Sequence, residues 1–325
     1  MFSRLIPAVL LLCASLHSAA IAQTPISPKS EVGFRRTVTP AGVEVGVWYP
    51  AEGTPTPQRL GLYSHQVVVD AQPIPGHYPL IVMSHGTGGS YSGHVDTAVA
   101  LAQAGFIVAA LTHRGDNWQD NSRATQIEAR PKALSRLITY MLYEAPERAQ
   151  IDRDHIGAFG FSAGGFTVLA AAGGQPDFSR LVDHCKAHPA FFDCQMIGTQ
   201  PRKSAPERIE TADKRIKVLV VAAPALGFTF ADKGLEQVRI PVQLWRADQD
   251  EILPAPYYAD VVREALPVKP EFHSVPNAGH FDFLAPCIEV KLAPQICTSR
   301  PGFNRTAFHS AFNAEVVRFF NAHLR

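Results

Sequence analysis

Short, unbroken apolar runs recur along most of this chain and restrict the folds open to it. They are Leu80–Met83, Phe106–Leu111, Ile156–Phe161, Val218–Ala222 and Val242–Trp245. Apolar runs without polar alternation are what strands buried on both faces look like. Helical patterns separate them. After Pro131, residues Leu134, Leu137, Ile138, Met141 and Leu142 fall on one apolar stripe, and Phe308, Phe312, Val316, Phe319 and Phe320 form another. Ala163 to Ala172 reads as a small-residue helix able to pack close to a sheet. This alternation from residue 80 onwards predicts an α/β fold, a mostly parallel sheet with helices on both faces.

The flanking segments read differently. Val43, Val45 and Val47 alternate with Glu44, Gly46 and Trp48, the period of a half-buried strand, and Val32–Val38 before it completes an N-terminal hairpin. Residues 51–78 are rich in Pro and Gly, and a long loop is expected there. Residues 174–215 carry Pro176, Pro189, Pro201, Pro206 and many charges, and are expected as a small cap-like excursion over the C-terminal edge of the sheet. Residues 1–22 read as a signal peptide: Arg4, a short apolar run from Leu5 to Leu12, then Ala20-Ile21-Ala22 with small residues where a signal peptidase reads. That leaves 23–325 as one exported domain, periplasmic or secreted. No other stretch is apolar enough to suggest stable membrane insertion.

With 46% hydrophobic and 18% charged residues the chain is not disordered, and a formal charge of +1 supplies no field to draw it to nucleic acid or an anionic membrane. Beyond the leader stand Cys185, Cys194, Cys287 and Cys297. An even number in an exported chain suggests disulfides, and the short Pro-containing loops favour 185 with 194 and 287 with 297. His184, His188 and Cys185 could also be read as metal ligands, but without further spaced ligands no metal is expected.

Gly160-Phe161-Ser162-Ala163-Gly164-Gly165 joins an apolar strand to a small-residue helix. A sharp strand-to-helix turn exposes one side chain, and glycines two residues either side of Ser162 relieve its crowding. Ser84-His85-Gly86-Thr87-Gly88-Gly89 runs from another strand into a glycine-rich loop suited to an oxyanion N–H, with the N–H of Ala163 as the second donor. A nucleophilic serine needs a base and an orienting acid, and in this architecture both lie downstream, in the order Ser, acid, His. Asp250 is the preferred acid, with Asp248 as competitor, and His280 in Ala278-Gly279-His280-Phe281-Asp282 is the base. His85 and His113 are expected to be structural, and the stretch Thr112–Asn117 to shape the site. Phe228 and Phe230 are candidates for an acyl pocket or for core packing.

The 84–89, 160–165 and Gly279–Leu284 stretches together resemble the dienelactone hydrolase-like branch of the α/β-hydrolases, which includes exported bacterial relatives of platelet-activating-factor acetylhydrolase. The resemblance runs from about Val43 to the C-terminus. It implies Ser162, Asp250 and His280 as the triad and N–H groups of Thr87 and Ala163 as the oxyanion donors. Dienelactone hydrolases proper carry a Cys nucleophile where this chain has Ser162. The acetylhydrolases place their acid one strand earlier, where this chain has Ala222-Ala223-Pro224. The expectation is a cofactor-independent serine esterase acting on a small-molecule ester, in an oligomeric state the sequence leaves open. The alternatives are a phospholipid or N-acyl hydrolase and an inactive binding module on the same fold.

Overall fold

The computed structural model describes residues 30–201 and 212–325. The expected leader at 1–22 lies outside the described residues, as do positions 202–211 of the excursion. Among the described residues ten strands form one sheet: β1 (Glu31–Val38), β2 (Glu44–Ala51), β3 (Thr56–Leu60), β4 (Tyr63–Val69), β5 (Tyr78–Ser84), β6 (Ile107–Leu111), β7 (Ile151–Phe161), β8 (Ile216–Ala222), β9 (Val242–Ala247) and β10 (Glu271–Val275). Their order is β10-β9-β8-β7-β5-β6-β2-β1-β4-β3. From β10 to β6 every neighbouring pair is parallel, whereas β2 joins β6 and β1 antiparallel.

The helices are α1 (Val95–Gln103), α2 (Arg130–Tyr143), α3 (Ala163–Ala171), α4 (Arg180–Ala187), α5 (Phe192–Thr199), α6 (Ala259–Ala265), α7 (Pro294–Cys297) and α8 (Arg305–Leu324). Two apolar clusters sit on opposite faces of the sheet. Leu134, Leu137, Ile138 and Met141 of α2 pack with α3 on one face. On the other, Phe312, Val316, Phe319 and Phe320 of α8 pack with Leu101 of α1 and Phe159 of β7. Alternate residues of one strand supply both clusters, as with Val82 and Ile81 of β5, which is why its apolar run has no polar gap.

Two sequence expectations are corrected. The strand at 44–51 is buried on both faces, because Val45, Val47 and Tyr49 enter one apolar cluster while Trp48 enters the other, covered by Phe34 and Tyr91. Residues 51–78 are not a long loop. They hold the β3–β4 hairpin, turned at Gly61 (φ +63°), with Tyr63, His65 and Val67 buried in alternation. Pro57 masked this strand in the sequence, yet it lies in β3, at the sheet edge where a missing N–H costs little.

Both disulfides join the cysteines that the spacing favoured, Cys185 to Cys194 and Cys287 to Cys297. The first ties α4 to α5. The second closes the chain between the His280 turn and α8. No helix among the described residues is long and apolar enough to cross a membrane.

Candidate active site

Four loops leave the C-terminal ends of parallel strands and meet above the sheet, the usual place for a site in an open α/β architecture. They follow β5 at Ser84, β7 at Phe161, β9 at Ala247 and β10 at Val275.

Ser162 stands between β7 and α3 with φ +56° and ψ −120°, a conformation that L residues rarely hold and one that stores strain. The packing shows why glycine flanks it. A Cβ on Gly160 would lie 2.1 Å from the carbonyl oxygen of Gly164, and a Cβ on Gly164 would lie 1.8 Å from that of Ser84. Ser162 N–H donates to Ala222 O at 2.9 Å, while Ser162 O accepts from Gly165 and Ala225 N–H at 2.8 and 2.9 Å. The turn is thus held from both sides.

His280 opens a one-turn helix after β10. Its Nδ1 lies 2.8 Å from Oδ2 of Asp250, and both side chains are almost wholly buried. The other carboxylate oxygen of Asp250 accepts the N–H groups of Ile252 (3.0 Å) and Leu253 (2.7 Å), so the acid cannot swing away. A carboxylate facing Nδ1 places the ring proton there and leaves Nε2 free to accept. The ring packs on Phe161, the residue before Ser162, with centroids 4.8 Å apart. Asp248 goes elsewhere. It pairs with Arg246 at 2.8 Å and accepts from Ser274 Oγ. Burial works against its charge, but the Ser274 and Arg246 bonds prevail and hold its carboxyl below the ordinary value.

Thr87, Ser162 and Ala163 line one narrow cavity of about 30 Å³, room for roughly two or three waters. Phe192, Asp193, Met196 and Ile197 of α5 form its roof, with Ile127, Leu226 and Leu253 beside them. The 174–215 excursion therefore contributes directly to this cavity. Phe228 and Phe230 do not line it. Phe228 stacks on His184 at 3.7 Å and Phe230 packs on Phe166, so both serve packing. A far larger open groove of about 1010 Å³, lined by Arg114, Arg123 and Arg136 among others, includes none of Ser162, Asp250 and His280. Of the expected triad, Ser162 lines the smaller cavity, and Asp250 and His280 lie outside its lining.

Structural roles for His85 and His113 beside the 85–89 loop were expected from the sequence, whereas the part played by Arg130 was not. His113 N–H donates to His85 Nε2 at 2.9 Å, and His85 Nδ1 lies 2.6 Å from Gly86 O. Arg130, at the first turn of α2, reaches His85 O (2.6 Å) and Gly86 O (3.3 Å) and pairs with Asp116 at 2.8 Å. Asp116 Oδ1 in turn accepts Gly88 N–H at 2.9 Å. These bonds engage the carbonyls of residues 85 and 86. Burial, with the Arg130 charge second, holds His85 and His113 well below the ordinary histidine value, so both are neutral. Burial also lowers Arg130, which Asp116 opposes. The only local hint was an arginine immediately before the proline that opens α2.

A second unread network fixes the His280 turn. Asp282 Oδ2 accepts Gly279 N–H at 2.8 Å, while its Oδ1 accepts from Ser299 (2.6 Å) and Arg305 (3.1 Å). His309 bridges Asp282 O to Asp96 of α1.

Among the described residues two side-chain groups have metal-like composition, and neither fits an ion. His184, Asp193 and Cys194 converge, but Cys194 is spent in a disulfide. Glu271, His273 and Glu315 also converge, but Arg318 pairs with both glutamates and supplies the positive charge.

Three comparisons place this geometry among known proteins. Residues 93–208 match the profile of the prolyl oligopeptidase family (Peptidase_S9). A putative esterase, NocK, from Nocardia uniformis subsp. tsuyamanensis is 29% identical over 123 residues, 37% of this chain. The match spans 36% of that relative's length. The solved structure of a ferulic acid esterase from Streptomyces cinnamoneus superposes with a TM-score of 0.64 at 18% identity, covering 93% of this chain and 92% of that one. Strand order, the serine turn and this superposition agree: the chain has the fold of the α/β-hydrolase superfamily.

Proposed function

We propose that the protein is an exported serine hydrolase that cleaves small carboxylic esters through an acyl-enzyme. Ser162 Oγ attacks the carbonyl carbon while His280 Nε2 takes its proton, and Asp250 stabilises the imidazolium through Nδ1–H. The N–H groups of Thr87 and Ala163 receive the negative oxygen. Collapse expels the alcohol, which leaves with the proton from His280. Water then releases the acid by the same steps in reverse order. The observation that carries this reading is the buried 2.8 Å pair of Asp250 and His280 on the sheet edge that also holds Ser162 in its strained turn.

Export is supported by the two disulfides, which persist in oxidising compartments. The narrowness of the cavity favours a short acyl group such as acetyl over a long chain. The esterase descriptions of the relative and of the solved structure favour esters. The prolyl oligopeptidase match supports a second reading, amide cleavage.

A fluorophosphonate probe should label the wild type at one site and leave folded Ser162→Ala unlabelled. 4-Nitrophenyl acetate, butanoate and octanoate, a phospholipid and a 4-nitroanilide then rank the substrate classes. Acetate and butanoate should lead. Faster anilide turnover would favour the amide reading, and unlabelled folded wild type would sink the hydrolase assignment.

A further inference from the structure

The roof of the Ser162 cavity carries a carboxylate that the proposed chemistry does not use. Asp193, in the first turn of α5, lines the cavity together with Thr87, Ser162 and Ala163. It is 3% exposed. Its Oδ1 is fully engaged, accepting Tyr258 O–H at 3.0 Å and Cys194 N–H at 3.0 Å. Its Oδ2 is buried and has no hydrogen-bond partner. A buried polar atom without a partner is unfavourable, and a binding cavity is where the ligand can supply what is missing.

The setting makes this oxygen directional. Asp193 is the one ionisable side chain among the described residues of the cavity wall, whose other members are apolar apart from Ser162, Thr87 and Thr125. A few placed polar groups in an apolar wall fix how a ligand sits. The carboxylate is also rigid. Its neighbour Cys194 is bonded to Cys185 of α4, and Tyr258, which holds Oδ1, is itself within 3.3 Å of His184 Nε2.

We propose that Asp193 is a specificity-determining residue: its Oδ2 accepts a hydrogen bond from a hydroxyl on the part of the ester seated in this cavity. The inference rests on the reading of Ser162 as an esterase nucleophile and names the substrate class of that same site. A hydroxyl fits better than an ammonium group. One hydroxyl brings one donor to one unpartnered oxygen, whereas an ammonium brings three donors and a charge into an apolar wall. Burial raises the Asp193 carboxyl above its ordinary value, with the Tyr258 bond opposing, which also favours a neutral partner.

The test compares kcat/KM for ester pairs that differ by one hydroxyl. Ethyl acetate is set against ethyl hydroxyacetate, and ethyl butanoate against ethyl 2- and 3-hydroxybutanoate. The two sets place the hydroxyl at increasing distances from the carbonyl carbon. The wild type should prefer the hydroxylated member of at least one pair by about tenfold or more, because a site built around a hydroxyl penalises its absence. Asp193→Leu should bring that ratio to within about twofold of unity. Asp193→Ala, which removes the acceptor altogether, should do the same. Tyr258→Phe, which loosens the roof but leaves Oδ2, should keep the preference. No preference in any pair, or a preference that survives both folded Asp193 variants, overturns the proposal. Turnover of 4-nitrophenyl acetate in the same preparations separates that failure from failure of the esterase reading, which would abolish all of these activities.

Discussion

His113 N–H donates to Nε2 of His85, and that single bond decides the state of the loop beneath the site. An accepting Nε2 leaves the proton on Nδ1, which therefore donates to Gly86 O at 2.6 Å. The peptide after Gly86 is then locked with its carbonyl turned to His85 and Arg130. The N–H on the other side of that peptide is the one assigned to Thr87 as an oxyanion donor.

His85→Ala should therefore lower kcat and leave KM nearly unchanged. Losing the alignment of one oxyanion donor costs about 10²–10³ when the donor is removed outright, so a smaller loss, about tenfold to 10²-fold, is expected here. Steady-state kinetics on 4-nitrophenyl acetate reads this. An increase in KM alone would place His85 in substrate binding instead.

Arg130→Met should destabilise the fold by about 3–5 kcal/mol, because it strands the buried carboxylate of Asp116. The double variant Arg130→Met with Asp116→Asn should recover part of that loss. Urea midpoints at a common m-value check both.

Asp250→Asn should keep the fold and cut kcat by about 10⁴, the scale of the corresponding change in the best-studied triad. Asp248→Asn should weaken only its part-buried bonds to Arg246 and Ser274, away from His280, so activity stays within about twofold. The reverse ranking would reassign the acid.

Acid should unfold the protein through its buried histidines. Burial pushes His65 down to about 4 and His94 to about 3, with His85 and His113 also well below the ordinary value. The native state keeps these rings neutral, whereas the unfolded chain protonates them near pH ~6.5. Their contribution is complete above that pH and is lost as pH falls from about 6.5 through 4, by up to ~1.4 kcal/mol per pH unit for each ring. Tm should be flat between pH 7 and 8 and drop steeply below 6. His65→Gln, which keeps an acceptor for Trp48 Nε1–H, should make the drop shallower.

Removing Cys185–Cys194 by paired Ser substitution should cost about 2–3 kcal/mol from loop entropy, since it closes a separation of 9 residues. The roof over Ser162 hangs on this bond, so hydroxyl-ester discrimination should fall before the sheet melts. Parallel loss of discrimination and global structure would show that α4 and α5 fold with the core.

What the sequence by itself determined are features whose cause is local. The Ser162 turn is legible because a strained backbone needs small residues two positions away on either side. The parallel strands are legible because burial on both faces leaves an unbroken apolar run. Cys185–Cys194 and Cys287–Cys297 are legible because their loops are short. The order Ser162, Asp250, His280 follows from the succession of strands once the fold class is known. The sequence preferred Asp250 to Asp248 in the same acidic turn, and packing is what sets Asp250 beside the His280 ring and turns Asp248 to Arg246. The tertiary structure also placed β2 in the sheet interior and let β3 tolerate Pro57 at the edge. Arg130 with His85, Asp96 with Asn313 and Tyr258 with Asp193 meet across separations of 45, 217 and 65 residues. No spacing or periodicity records such pairs. The backbone demands of a turn or strand are written within a few residues. The partner of a buried charge is set by which distant surfaces the whole fold presses together.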